Sequence, residues 1–343
     1  MDSDLNEFIR PVRRATIKDV ARLAKVDPSL VSRVVNNDPK AFASASTRTR
    51  ILKAVDDLGY QANLAARGLK MSKTQTIGFL IPNIGNPIYA SIISGVEARC
   101  LELGYGIILG DHAEGDTENT FTTLLEQGRV DGLLIASGVL PDSYLKKVMA
   151  NRTASVVLVN RKVEGFESSV IVNDELGVAL AVKHFSSNGS KIIAGIFGPT
   201  FIETAQRRRN GFQRACSESN LHPIIVDMPS LDMKAGFEAG KQIFALKELP
   251  DSIFVSTLLM AIGILRAAAV CGISIPDQVS LIAMHDSELA EYLNPPITTI
   301  KMPTYEMGRQ SVDLLIELLT NQAPRHVMVS EAPKLIVRSS TRA

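Results

Sequence analysis

The sequence predicts a small all-α helix-turn-helix unit followed by an α/β core of two lobes, each built on a parallel sheet with helices on both faces. Three observations lead there. Up to residue 60 the apolar residues recur only at helical spacing, with capping residues at short intervals. From Thr76 onward, apolar strand-like runs alternate with amphipathic stretches. The alternation restarts near residue 176, so a second lobe follows the first.

Charge divides along the same line. The 343 residues carry a net +1, yet the segment up to Ser72 holds 13 basic against 8 acidic residues and leaves −4 on the remainder. The basic end suits a polyanion, although a run of this size also fits a solvated surface. With 45% hydrophobic residues the chain is no disordered polymer. Its longest apolar runs, Val255 to Ala261 and Ile262 to Ile264, are broken by Thr257 and Gly263 and fall short of the roughly 20 residues a membrane span needs. The acidic, polar start from Met1 to Glu7 lacks the pattern of a secretory leader, so a cytoplasmic, membrane-free protein is expected.

The first helix is expected over Ile17 to Ala24, with Thr16 and Asp19 as a capping box and Ile17, Val20, Ala21 and Ala24 on its apolar side. A break at Lys25-Val26 leads to Asp27 as N-cap and Pro28 at the first position of a second helix, whose apolar face is Leu30, Val31, Val34 and Val35. A third helix is capped at Ser44 or Ser46, carries Ile51, Leu52, Val55 and Leu58, and ends at Gly59. If the second helix entered a major groove by its N-terminal end, Pro28, Ser29, Ser32 and Arg33 would face base edges, with Arg33 suited to guanine. Thr16 and Asn36 would suit phosphates. The same spacing also fits an ordinary three-helix bundle with a solvated basic face.

In the core, strands are expected at 77–81, 105–109, 132–135 and 156–159, separated by helices around 88–103, 117–127 and 142–149. The second lobe reads as helix 176–188, strand 192–197, helix 204–219, strand 224–227, helix 233–246, strand 253–256, helix 260–271 and strand 279–284. A last helix near 305–320 is expected to return to the first lobe. Ligands of such sheets sit beyond the carboxyl ends of the strands, which makes a cleft between the lobes the default site.

Catalytic and metal patterns are missing from the sequence. There is no GxxxxGK[ST], GxSxG or HExxH, and Gly104-Tyr105-Gly106 precedes a strand instead of joining strand to helix. His112, His184, His222, His285 and His326 lack metal-ligand spacing. Cys100, Cys216 and Cys271, odd in number and far apart, are expected to be single buried thiols. No metal, cofactor or enzymatic activity is expected.

Several motifs together resemble the lac repressor (LacI/GalR) family. They are Ala15-Thr16-Ile17-Lys18-Asp19-Val20-Ala21, Val31-Ser32-Arg33-Val34-Val35-Asn36, Thr47-Arg48, Leu58-Gly59-Tyr60 and Asn63-Leu64-Ala65-Ala66-Arg67-Gly68-Leu69. The resemblance implies a DNA-binding headpiece in which Pro28 and Ser29 read bases, Arg33 is the recognition-helix arginine, and Thr16, Ser32, Asn36 and Tyr60 contact or orient the DNA backbone. It further implies a hinge, with Asn63, Ala66 and Leu69, that folds in the minor groove, where Leu69 wedges between base steps. By composition alone the same segment also reads as a plain linker. This chain departs from the family at Lys25, where Gly is usual, at Asp27, where Ser is usual, at Leu30, where Thr is usual, and at Ala62, where Pro is common.

The core resembles the family's effector-binding, periplasmic-binding-protein-like core through Asn86-Pro87-Ile88-Tyr89, Arg208-Arg209-Asn210-Gly211-Phe212 and Ile275-Pro276-Asp277-Gln278-Val279-Ser280. This implies effector contacts from Tyr89, Asn160, Arg161, Arg208, His285 and Asp286, although for Arg208 a plain helix-start salt bridge fits too. Ala283-Met284-His285-Asp286 replaces a Gly-aromatic-Asp motif and Thr257-Leu258 an Asn-Asp pair, which leaves a sugar and an anion equally open as effector. The implied division is a flexible extension 1–14, a headpiece 15–60, a hinge 61–74, a first lobe 75–174 plus about 303–328, and a second lobe 175–302 plus about 329–343. The implied protein is a homodimeric regulator, more a repressor than an activator, that binds a palindromic double-stranded operator under control of a small molecule. The rivals are a periplasmic-type binding protein and an α/β enzyme, each with an unrelated basic extension.

Overall fold

The computed structural model describes residues 15–36, 38, 41–60, 74–111, 123–136 and 155–342. The extension 1–14, the hinge positions Asn63, Ala66 and Leu69, His112, the helix expected at 142–149 and most of that at 117–127 lie outside them. The chain forms two compact units, divided between Thr74 and Gln75.

Among the described residues the first unit holds three helices, α1 (Ile17–Ala24), α2 (Pro28–Val35) and α3 (Ala45–Asp57). Thr16 and Asp19 complete the capping box, and Arg22 pairs with Asp19 one turn on. These bonds, those from Thr16 above all, hold the Asp19 carboxyl at about 2. Asp27 accepts from the Ser29 amide at 2.7 Å and starts α2. Between the two helices Lys25 adopts φ 51°, the left-handed region that glycine occupies most easily. Val20, Ala21, Ala24, Val31, Val34, Ile51 and Ala54 form the core. The stripe expected on α3 is corrected here: Ala54 is inside, whereas Leu52 is 46% and Leu58 36% exposed.

The second unit contains two six-stranded sheets. The first has the order β11-β5-β4-β3-β1-β2 and is parallel throughout, from β1 (Thr76–Ile81), β2 (Gly106–Asp111), β3 (Gly132–Ile135), β4 (Ser155–Val159), β5 (Ser169–Ile171) and β11 (His326–Met328). The second has the order β12-β10-β9-β8-β6-β7, from β6 (Ile192–Phe197), β7 (His222–Asp227), β8 (Ser252–Val255), β9 (Ser280–Met284), β10 (Thr298–Lys301) and β12 (Lys334–Ile336). Only β12 in it runs antiparallel to its neighbour. The described residues include the helices α4 (Pro87–Leu103), α5 (Asp174–Ser187), α6 (Glu203–Glu218), α7 (Met233–Phe244), α8 (Leu258–Cys271) and α9 (Thr304–Leu319).

The β-strands lie where apolar runs are longest, and their burial is nearly complete in β3, β8 and β9. Helices α4 and α9 cross in near backbone contact: a Cβ on Gly95 would stand 2.0 Å from the Tyr305 carbonyl oxygen, and one on Gly308 2.3 Å from that of Ile92. Cys100 and Cys216 are buried, and burial pushes both thiols up to about 12. Cys271, expected to be buried, is exposed at the end of α8. No described helix is long and apolar enough to cross a membrane.

Candidate functional site

Two groups of side chains stand out, one in each unit. On α2, Val31 and Val34 face the core, which turns Ser29 and Arg33, one turn apart, to the outside. Pro28 and Ser32 are half-buried, and Thr16 and Asn36 are exposed. The Asn36 amide donates to the Ser32 carbonyl at 2.7 Å, so these two expected phosphate contacts form one local unit. Thr16 donates its hydroxyl to Asp19 at 2.6 Å within the helix cap and remains exposed. Tyr60 is half-buried against the three-helix core, a position that orients the chain as it leaves α3.

The second group lines a cleft of about 60 Å³ in the core. Its residues follow the carboxyl ends of strands from both sheets: Asn86 to Tyr89 after β1, Asn160 after β4, Thr204 and Arg208 on α6 after β6, Leu231 after β7, Thr257 and Leu258 after β8, and His285 to Ser287 after β9. Helix starts place several of them. Asn86 caps α4 and puts Tyr89 in its first turn, where the hydroxyl donates to the Ala136 carbonyl at 3.5 Å. Thr257 caps α8 by accepting from the Met260 amide at 3.2 Å, and its hydroxyl donates to the Leu231 carbonyl at 3.3 Å.

Arg208 is 4% exposed and each nitrogen of its guanidinium has a partner. Nε donates to Asp174 Oδ1 at 2.7 Å, Nη1 to the Ser256 carbonyl at 2.9 Å, and Nη2 approaches His285 Nε2 at 2.9 Å. Asp174, fully buried, also takes Arg207 Nε at 2.9 Å. Burial alone would raise the Asp174 pKa, but the two guanidiniums overcome it and hold the carboxyl at about 2. His285 is lowered as well, but for a different reason. Burial, then the positive charge of Arg208, pushes it well below the ordinary histidine range against the pull of Asp174. Asp286 accepts from the Thr299 hydroxyl at 2.6 Å and pairs with Arg338 at 2.9 Å, both at Oδ1. Arg207 bridges further, reaching Glu203 at 2.7 Å and Asn160 at 3.4 Å.

Five of the six residues expected around an effector therefore meet in one cleft: Tyr89, Asn160, Arg208, His285 and Asp286. Arg161 is buried but does not line it. The expectation that Arg208 might be a plain salt bridge and the expectation that it lines the cleft both describe the observed residue. Asp174, Asn86 and Thr257 sit in or beside motifs of the sequence but are not among the residues expected to contact an effector, and neither are the lining residues Thr204, Leu231 and Ser287. The row Arg207-Arg208-Arg209 on one helix was the available signal for Asp174, since buried guanidiniums require a carboxylate. Among the described residues no cluster of three His, Cys, Asp or Glu side chains is arranged to hold a metal ion.

Comparison with known proteins gives these features a context. Residues 16–63 match the bacterial regulatory proteins of the lacI family, and residues 182–341 match the periplasmic binding protein-like domain. The HTH-type transcriptional repressor PurR of Photobacterium profundum is 32% identical over 334 residues, covering 96% of this chain and 99% of its own. The ribose operon repressor of Escherichia coli is 32% identical over 331 residues, 95% of this chain and 99% of its own. The lac repressor dimer, solved bound to operator and the anti-inducer ONPF, superposes with a TM-score of 0.85 at 27% identity over 96% of this chain and all of that one. These are repressors, not enzymes or transport proteins, and their likeness spans both units. The chain belongs to the lacI family of bacterial regulatory proteins and is a DNA-binding transcriptional regulator.

Proposed function

We propose that the protein is a cytoplasmic repressor that binds a two-fold-symmetric operator as a homodimer and is controlled by a small molecule held in the core cleft. The observation that carries this reading is the exposed set Ser29, Arg33 and Asn36, with Ser32 half-buried beside them, on a helix whose opposite side is buried. Pro28, Ser29 and Arg33 read base edges, and Thr16, Ser32, Asn36 and Tyr60 position the headpiece on the backbone. On the family resemblance, Asn63, Ala66 and Leu69 act in the minor groove from the hinge 61–74. One headpiece touches too few bases for genomic specificity, so a pair is needed. The lac repressor dimer on its operator supports the same arrangement.

Tyr89, Asn160, Arg208, His285 and Asp286 hold the effector between a first lobe of 75–174 plus about 303–328 and a second of 175–302 plus about 329–343. Ligand binding changes the balance of lobe arrangements and, through them, operator affinity. The test is selection of bound duplexes from a random DNA library by the full-length protein at fixed, near-physiological salt. An enriched palindrome with a constant centre is expected. An enriched motif without two-fold symmetry would rule out the homodimer on a symmetric operator.

A further inference from the structure

Two residues that line the cleft each carry a buried polar atom with no hydrogen-bond partner, Nδ1 of His285 and Oγ of Ser287. His285 is 7% exposed, so a donor left unmet there is costly. The tautomer of its ring follows from Arg208. A guanidinium has donors only, and Nη2 lies 2.9 Å from Nε2, so Nε2 must accept. A neutral ring then carries its proton on Nδ1, as an N–H donor in the cleft wall. The backbone supports a dedicated role, since His285 has φ 71° and Asn160, across the cleft, has φ 57°, conformations that non-glycine residues rarely keep without cause.

Charge supplies the second half of the argument. Each charged lining residue is neutralised from behind: Arg208 by Asp174, and Asp286 by Arg338. Arg207, next to them, is shared between Asp174 and Glu203. An anion in the cleft would lose its hydration and meet no uncommitted cation among these groups. Tyr89, Leu231 and Leu258 add apolar surface against which a small ring can lie.

We propose that the cleft selects an uncharged, unphosphorylated ligand and that His285 determines this specificity by donating Nδ1–H to an oxygen or nitrogen acceptor of the ligand. The inference rests on reading the cleft as the effector site and narrows what that site accepts. Thermal shift followed by calorimetry on the full-length protein tests it with paired probes: ribose and ribose 5-phosphate, glucose and glucose 6-phosphate, adenine and AMP. A neutral member binds, and its phosphorylated partner binds about 100-fold more weakly or worse. His285→Asn, which tolerates a left-handed backbone and keeps an amide donor near Nδ1, stays within about tenfold of the wild type, whereas His285→Leu loses more than about tenfold. Preferred binding of a phosphorylated member, no binding of any neutral member, or equal binding by His285→Leu would overturn the proposal. Thr204→Trp, which fills the cleft, separates the two levels. A neutral ligand that binds this variant undiminished lies elsewhere and sinks the cleft reading itself.

Discussion

Asp174 accepts a hydrogen bond from Arg208 at 2.7 Å with both side chains buried, and it is the first residue of the helix that opens the second half of the core. Its removal would leave two guanidiniums, those of Arg207 and Arg208, without their shared counter-charge. Asp174→Ala is expected to cost about 3–5 kcal/mol in urea unfolding, far more than a surface ion pair such as Arg214 with Glu175. The sign in pH follows from the lowered carboxyl: from the ordinary 3.8 it falls to about 2, so its contribution is whole above about pH 4 and is lost as pH drops toward 2. A loss under about 1 kcal/mol at pH 7 would contradict this account.

His285 titrates in a milder window. Its folded pKa lies below the unfolded value near 6.5, so the unfolded chain binds the extra proton and stability falls as pH drops below that value. His184, partly buried, is lowered by desolvation and acts in the same direction. The urea midpoint should therefore decline from pH 7 to 5, and His285→Asn should flatten part of the slope. Equal slopes in wild type and variant would assign the whole effect to His184 and the carboxylates.

Arg33→Ala is expected to weaken operator binding by about 1–3 kcal/mol and to relax the preference at one base position in each half-site. Arg22→Ala, an exposed arginine paired within α1, should leave base preference untouched. Band-shift titrations against single-base operator variants at constant salt distinguish them. Uniform weakening across all variants by Arg33→Ala would recast it as a phosphate contact.

Gly95→Ala is expected to lower stability by about 1–3 kcal/mol, because the added methyl meets backbone of α9 that has no side chain to swing away. Gly104→Ala, which meets nothing within 4 Å but sits at φ 73°, isolates the cost of backbone strain for comparison. Thermal denaturation reads both, and an unchanged midpoint for Gly95→Ala would mean that the two helices can separate freely.

Helices and central strands were legible because their signals are local: caps such as Thr16, Asp27 and Asn86, and apolar runs such as Ile192 to Phe197. The strands β5, β10, β11 and β12 were not named in the sequence reading. Each has only three or four residues, and β11 leaves His326 and Met328 exposed, so the partner strand supplies what periodicity lacks. The cleft was partly legible. Tyr89 and Arg208 sit in motifs, whereas Asp174 and Ser287 acquire meaning only through neighbours distant in sequence. The wrong expectation for Leu52 and Leu58 has a local cause, since α3 turns Ile51 and Ala54 inward and leaves the larger leucines at the rim.

The strand order also governs how the protein emerges from synthesis. The first sheet begins at Thr76 yet lacks an edge until residues 326–328 arrive, and α9, which covers α4, comes only after all of β6 to β10. The second sheet waits for residues 334–336. A nascent chain therefore carries two unfinished apolar layers until residues 326–336 are made, a long interval of exposure for a core dominated by distant pairings. The helical unit has no such delay, since its contacts are complete once residue 60 is made. A chain stopped before residue 326 would lack an edge strand in both sheets at once, while the three-helix unit would still fold.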